Sequence, residues 1–279
     1  MEQTGIKDRF TNEEKFHDVW ASNEDFQKID VIKMNEAVTA PEMRCITKSL
    51  GNITNKKLLD VGCGLGEASV YFAIKRADVT ATDISGKMLE NTYELGKYYH
   101  VNIRTHKSSA EDLMLGDEKD FDIVYTGNLL HHVEIDSTLC KIVSVLKQDG
   151  IFVSWDPIAY NPIINIYRAI AKQVRTKDEH PLRVKDIKIF NKYFEKVELQ
   201  YFWLSTLLIF IFMALFQFRN PNKVRYWKKV VEEGDKWKYI YLPLERLDKI
   251  LLKIFPPLKY LCWNIVVHAS KPRKEFRNN

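Results

Sequence analysis

The sequence predicts an α/β fold in which helices wrap a parallel sheet. Two observations carry that prediction. Short apolar strand candidates recur with helical stretches between them. The first of them, in LLDVGCGLGEASVYFA (58–73), runs into three alternating glycines and then a helix. A chain of 279 residues, 46% hydrophobic and 28% charged, suffices for one such domain with additions.

Residues 11–50 read as helical. EEKFHDVWA and APEMRCITKSL space apolar residues three and four apart, and Pro41 suits a first helical turn. The strand candidates follow: KKLLDV (56–61), DVTATD (78–83), NIRTHK (102–107), FDIVYT (121–126) and GIFVSW (150–155). GEASVYFAIKR, GKMLENTYELGKYYH and DSTLCKIVSVLK are the helices that separate most of them. This alternation argues for parallel strands joined by right-handed crossovers. Residues 157–192, opening with PIAYNPIINIYRAIAKQV, read as a helical insert. KVELQYFWL (196–204) is a sixth strand candidate and CWNIVVHAS (262–270) a last one, with mostly helix between. The tail KPRKEFRNN is expected to be disordered.

Composition narrows the class. The four cysteines, at 45, 63, 140 and 262, form no C-x-x-C pair, which argues against a zinc ribbon or a disulfide framework. The first residues, MEQTGIKDRFTNEEKF, lack the apolar core of a signal peptide, so a cytoplasmic location is expected. The net charge of +5 hides an asymmetry: residues 1–150 hold 18 Lys/Arg and 25 Asp/Glu, residues 151–279 hold 24 and 12. The basic half suits anionic lipid, an acidic substrate or nucleic acid.

A strand ending near Asp60, then Gly62, Gly64 and Gly66, then a helix, is a nucleotide-cradling turn. Glycine permits unusual φ and close backbone approach, and the helix start offers unpaired N–H groups. Dinucleotide sites use G-x-G-x-x-G with a pyrophosphate on the helix end. Here Glu67 stands where that third glycine would be, and a carboxylate repels a pyrophosphate. At the end of the next strand, Asp83 can accept hydrogen bonds from both hydroxyls of a ribose.

DVGCGLG (60–66), ATDIS (81–85), SSAEDL (108–113), YTGNLLHHV (125–133) and LKQDGIFVSWDP (146–157) follow in order. In this the chain resembles the class I S-adenosylmethionine (SAM)-dependent methyltransferases, nearest the ubiquinone/menaquinone and small-molecule branch. The motifs cover about residues 40–156. The resemblance implies a Rossmann-like, seven-stranded sheet whose last strand is antiparallel. It implies SAM as cofactor, with the sulfonium over Gly62–Gly66, the methionine part at Cys63 and Asp60, and the ribose at Asp83. Ile84, Met88, Gly127 and Asn128 join the cofactor-binding set by the same likeness, as do Ser109, Ala110 and Glu111 at the adenine. Family members often have Asp where this chain has Ser109, so adenine contact shifts to the Ala110 backbone and the Glu111 or Asp112 carboxylate.

Methyl transfer from a sulfonium chiefly requires alignment of acceptor and methyl. An O–H or activated C–H acceptor also needs a base, and His131 and His132 follow the fourth strand where the methyl is expected. They either supply that base or pack beneath the cofactor. Asp156, ending the fifth strand, is a third catalytic candidate, or else a helix cap. Tyr160, Asn161, Arg168 and His180 are candidates to face the acceptor. Cys63 occupies a turn position that needs a small residue and is not expected to be a nucleophile. No metal motif, G-x-S-x-G elbow or P-loop is present, and TGNLLHH differs from the Asn/Asp-Pro-Pro-aromatic motif of amino-group DNA methylases.

From Leu199 to Phe218 there is no charge for 20 residues, and residues 219–238 then hold seven Lys/Arg against three acids, interleaved with Tyr226, Trp227 and Trp237. If its start is the sixth strand, the greasy run is too short to span a bilayer and suits a buried or interfacial helix. Two readings stand: a surface for anionic lipid, or an apolar cap over the substrate pocket. RNA binding is a third, without a recognised motif. The expected organisation is a helical lid (1–50), a SAM-binding core (51–156), a cap plus the last strands (157–270) and a basic tail (271–279). His17 and Trp20 are expected either to approach the cofactor when the lid closes or to serve packing alone. The leading function is methyl transfer to oxygen or carbon of a small, apolar or lipid-like acceptor. A non-catalytic SAM- or lipid-binding protein is one rival, and an NAD-type dehydrogenase, disfavoured by Glu67, is another.

Overall fold

In a computed structural model, which describes residues 2–171, 179–220 and 222–277, seven strands form one sheet. The strands are β1 (Lys57–Val61), β2 (Asp78–Asp83), β3 (Ile103–Lys107), β4 (Phe121–Gly127), β5 (Leu146–Pro157), β6 (Phe194–Phe202) and β7 (Asn264–Pro272). Their order is β3-β2-β1-β4-β5-β7-β6. The first five pair in parallel, and β7 inserts antiparallel between β5 and β6. The order reverses at β1, which opens a crevice at the carboxyl ends of β1 and β4. Seven strands with an antiparallel last one are what the family resemblance implies.

The central strands are near-continuous apolar runs because helices cover both faces. On one face lie α3 (Pro41–Leu50), α4 (Glu67–Ile74) and α5 (Gly86–Tyr98), packing Ile46, Phe72 and Leu95 against Leu58 and Ala81. On the other, α6 (Ile135–Val145) and α8 (Val184–Tyr193) pack Leu139, Ile142 and Phe190 around Phe121 and Phe152. Phe152 lies near-parallel to Phe190 and Phe194, at centroid distances of 6.1 and 5.9 Å. On the edge strand β6, Val197, Leu199 and Tyr201 are half-buried while Glu198 and Gln200 face solvent, as expected of an antiparallel strand with one wet face.

The remaining helices form a lid and a cap. The lid comprises α1 (Glu2–Ser22) and α2 (Val31–Glu36). The cap comprises α7 (Pro162–Ile170), α9 (Leu208–Leu215), α10 (Tyr226–Glu232) and α11 (Gly234–Ile254). The cap has its own core of Trp203, Leu207, Phe210, Tyr226, Trp237 and Tyr241.

Two sequence expectations need correction, and a third, a helix after the sixth strand too short to span a bilayer, holds. Strand β5 begins at Leu146, four residues early, because Leu146 is buried and pairs with Phe121 across a register shift. The greasy run is broken: β6 ends at Phe202, Trp203 turns with φ +67, and α9 has only eight residues. At about 12 Å, α9 is far shorter than a bilayer core. Among the described residues no helix is long and apolar enough to cross a membrane. The tail is ordered through Arg277: the Phe276 ring sits 4.7 Å from Tyr193, and Arg277 Nε donates to the Leu146 carbonyl at 2.9 Å. Part of the expected helical insert, residues 172–178, lies outside the described residues.

Phe152→Ala is expected to cost about 3–5 kcal/mol, because the void opens between two rings held by different elements. Urea unfolding measures the loss.

Candidate active site

The turn after β1 is built on backbone that only glycine adopts readily: φ is +72, +54 and +87 at Gly62, Gly64 and Gly66. The N–H groups of Gly62 and Cys63 donate to the Thr82 carbonyl at 2.8 and 2.9 Å, and Gly64 N–H donates to Asp83 Oδ2 at 2.9 Å. The turn is thereby clipped to the end of β2. A Cβ on Gly66 would lie 2.9 Å from Thr92 Cα, so this glycine serves helix packing. A Cβ on Gly64 would meet nothing within 4 Å, so this glycine faces open space.

That space is a cavity of about 320 Å³ lined by core, lid and cap. Two carboxylates of the cradle line it. Asp60 accepts from Ser69 Oγ through Oδ2 at 2.5 Å, while its Oδ1 is buried without a hydrogen-bond partner. Burial pushes the Asp60 carboxyl up to about 7, with Asp83 adding to the shift. Asp83 accepts from Gly64 and Ser85 N–H groups; burial raises it, and His17 opposes. An unpartnered buried carboxylate oxygen beside an open glycine is an arrangement suited to a cationic amine.

At the end of β4, Leu130–His132 forms a single turn of 3-10 helix. His131 is buried, and its Nδ1 lies 2.9 Å from Asp156 Oδ1, which also accepts the His131 backbone N–H at 3.3 Å. Burial holds the Asp156 carboxyl well above its usual range, against hydrogen bonds from the His131 and Leu130 backbone. The His131 and His132 rings are 4.1 Å apart. Glu13 from the lid stands 3.4 Å from both His132 Nδ1 and His17 Nε2. His131, His132 and Glu179 also set one ligand-type atom each within 4.8 Å of one another. The sequence reading expected no metal; it rested on local motifs, and this trio joins the 3-10 turn to Glu179, 47 residues on. It has the donor set of a transition-metal site.

The apolar wall combines core and cap. Trp155 Nε1–H donates to Tyr125 Oη at 2.9 Å, and both rings line the cavity beside Ile164, Tyr167, Trp203 and Trp263. Lid and cap meet above it: Arg225 lies 3.9 Å over the Trp20 ring, and Thr39 Oγ1 donates to the Val230 carbonyl at 2.9 Å.

Of the expected cofactor residues, Asp60, Gly62, Cys63, Gly64, Asp83 and Ile84 line the cavity. Ser109, Ala110, Glu111, Gly127 and Asn128 line it too, as do His131, His132 and Arg168. Met88 does not: it is fully buried in the core with Val79, Ala81 and Leu95. Gly66 faces Thr92 instead, and Asp156 stands behind His131. Tyr160 is 41% exposed and its hydroxyl accepts the Val184 N–H. Asn161 caps α7 through Ile164 N–H. His180 is exposed, and its N–H donates to the His131 carbonyl. Glu111 is engaged by Arg9 Nη2 at 2.5 Å and by Glu134 N–H at 2.7 Å, and Asp112 by Ser109 Oγ at 2.7 Å. Cys63 is buried beside Thr92, and burial pushes its thiol well up. The sequence reading missed Glu42, which accepts from Asn264 Nδ2 at 2.8 Å across 222 residues of chain. No local signal marks such a pair. Tyr125 and Trp155 had one, since both lie two residues before the carboxyl ends of their strands.

Comparisons agree with this geometry. Residues 59–154 match the family described as "Methyltransferase domain". A ubiquinone biosynthesis O-methyltransferase of Bordetella parapertussis is 26% identical over 126 residues, 45% of this chain and 52% of that protein. Its counterpart in Nitrosomonas europaea is 26% identical over 62% of this chain and 73% of its own. The chain spans about half the length of the first curated relatives it matches. Among solved structures, geranyl diphosphate C-methyltransferase of Streptomyces coelicolor superposes with a TM-score of 0.54 at 12% identity, covering 82% of this chain and 74% of that one. A Haemonchus contortus phosphoethanolamine N-methyltransferase gives 0.54 at 15% identity, over 84% and 52%. The fold and its crevice define the class I methyltransferase architecture. More particularly, residues 59–154 match a methyltransferase domain, carried on a sheet with that architecture's strand order.

Glu42 generates a pH prediction. Burial pushes its carboxyl up to about 7 from an ordinary 4.5. The folded state then binds a proton the unfolded state has released, so stability falls as pH rises from about 4.5 to about 7. Glu42→Gln is expected to lose roughly 2–3 kcal/mol less than wild type between pH 5 and pH 8 in chemical denaturation. Asp60 retains its own slope in that variant. The thiols generate another: Cys63 and Cys262 are buried, Cys45 and Cys140 partly open. A disulfide reagent at pH 8, followed by peptide mapping, is expected to leave Cys63 and Cys262 unmodified until the chain is unfolded.

Proposed function

We propose that the protein transfers a methyl group from SAM to oxygen, or activated carbon, of a small apolar acceptor. The observation that carries this reading is one cavity that joins the glycine cradle, Asp60 and Asp83 to His131 and an aromatic wall. SAM suits the cradle on two grounds: Asp60 Oδ1 is a buried acceptor without a partner, and the Cβ-sized space at Gly64 is open. Asp60 would take the methionine amine, Asp83 the ribose hydroxyls, and the backbone at Ala110 the adenine. When bound, SAM supplies an electrophilic methyl on a sulfonium. Glu67 lines the same cavity and argues against a pyrophosphate cofactor.

The chain's own part is alignment and proton removal. Tyr125, Trp155, Trp203 and Trp263 offer an apolar acceptor flat faces, and Arg168 offers it a cation. His131 Nε2 would accept the acceptor's hydroxyl proton while Asp156 holds the Nδ1 side of the ring. The carboxyl fixes the ring's tautomer and orientation toward the cavity. Residues 1–50 act as the lid that excludes water from the sulfonium, and residues 157–270 as the cap that selects the acceptor. An acceptor this apolar would reside in or near a membrane, which leads to a peripheral location.

Incubation of the protein with labelled SAM and a host lipid extract is expected to yield one labelled product and S-adenosylhomocysteine. Asp156→Asn should lower turnover roughly 10²–10⁴-fold and move the rising limb of the pH–rate profile to lower pH, with SAM affinity nearly unchanged. Gly64→Val should lose SAM affinity in calorimetry. Tight SAM binding with no labelled product from any fraction would instead support a non-catalytic binding protein.

A further inference from the structure

The longest cap helix, α11, has three lengthwise faces. Trp237, Tyr241, Glu245 and Asp248 are buried. Asp248 accepts the Leu204 and Ser205 N–H groups at 3.1 and 2.7 Å, and Glu245 pairs with Arg44. On a second face Ile240, Leu247, Ile250 and Ile254 are 44, 42, 54 and 75% exposed. With Pro243, also exposed, they recur every three or four residues and so lie in one line along the helix. On the third face Arg246, Lys249 and Lys253 are exposed at the same intervals, a basic row beside the apolar one. Lys249 reaches back to Glu245 at 3.0 Å. The only exposed acid of α11, Asp235, lies at its start, 3.1 Å from Lys33.

A soluble helix buries its apolar stripe. Here the core-facing stripe is already buried, and a second apolar row, about 21 Å long from Ile240 to Ile254, remains in solvent. Neighbouring α9, which meets α11 through Phe212 and Trp237, also exposes Leu208, Leu215 and Phe216. Immediately before α11, Arg225, Trp227 and Val231 line the cavity.

We propose that α11 is a membrane-docking helix: it lies in the headgroup layer of an anionic bilayer, its isoleucine row in the acyl boundary and its Arg/Lys row on the phosphates. Charge selects this occupant over a second copy of the chain. Antiparallel pairing of two α11 helices through the apolar row would set the basic row against its own copy. Lys and Arg stems, by contrast, lie along apolar surface while their heads reach phosphate. Docked this way, the cavity receives its acceptor from the lipid phase. That consequence rests on the proposed function; the docking itself does not.

The test is flotation of the full chain with phosphatidylcholine vesicles, with and without phosphatidylglycerol. Neither SAM nor an acceptor is present, so the result is independent of the enzymatic reading. Wild type is expected to float with the anionic vesicles and to be released by added salt. Ile250→Ser/Ile254→Ser should reduce the bound fraction roughly tenfold or more. Arg246→Gln/Lys249→Gln/Lys253→Gln should reduce it roughly a hundredfold. Tyr93→Ser, at an equally exposed site on α5, should leave it unchanged. Thermal melts and SAM calorimetry on each variant separate loss of docking from loss of fold. Failure of wild type to float, or equal flotation of all variants, overturns the proposal. So does a wild-type dimer, without vesicle binding, that Ile250→Ser/Ile254→Ser turns into a monomer.

Discussion

The constraint on which the structure depends is the doubling back of the chain after β1. Three residues with φ between +54 and +87 carry Gly62, Cys63 and Gly64 to within hydrogen-bond distance of the end of β2. Any side chain at Gly66 would push α5 away through Thr92. The same backbone that permits close packing of α4 and α5 leaves the Gly64 face bare. Fold and ligand cradle are therefore one feature. Asp83 belongs to it as well, because its carboxylate terminates the turn by accepting the Gly64 N–H.

The second dependence is β7. By running antiparallel between β5 and β6, it anchors the cap to the sheet rather than leaving it on a linker. Asn264, its first residue, reaches Glu42 on α3, and Trp263 before it stands 5.1 Å from Phe210 in the cap core. The lid is joined to the cap by Arg225 over Trp20 and by Thr39 on Val230, so the cavity has a roof held from both sides. Ion pairs of Lys228 with Glu24 and of Lys33 with Asp235 join the same two parts.

Asp60, Asp83, Glu42 and Asp156 are all buried, and burial raises each carboxyl. Buried acids raised in this way weaken the fold at neutral pH, so each is a cost to stability rather than a contribution to it. A cationic ligand offsets that cost by direct charge pairing. At Asp60, function and stability thus pull in opposite directions.

Much of this was legible in the sequence. Glycine spacing, strand-end acids and the alternation of strand and helix are local signals, because φ preferences and apolar periodicity act within a few residues. They determined the class of fold, the cradle and the residues on the ligand side of β1, β2 and β4. Met88, placed at the cofactor by likeness alone, is instead buried in the core between α5 and the sheet. The tail misled because its order comes from Tyr193, some 80 residues earlier in the chain. Tertiary structure alone decided the rest: that Asp156 stands behind His131, that Glu42 meets Asn264, and that α11 keeps an apolar row in solvent. Each is a matter of which surfaces are covered, and coverage is settled by elements far apart in sequence.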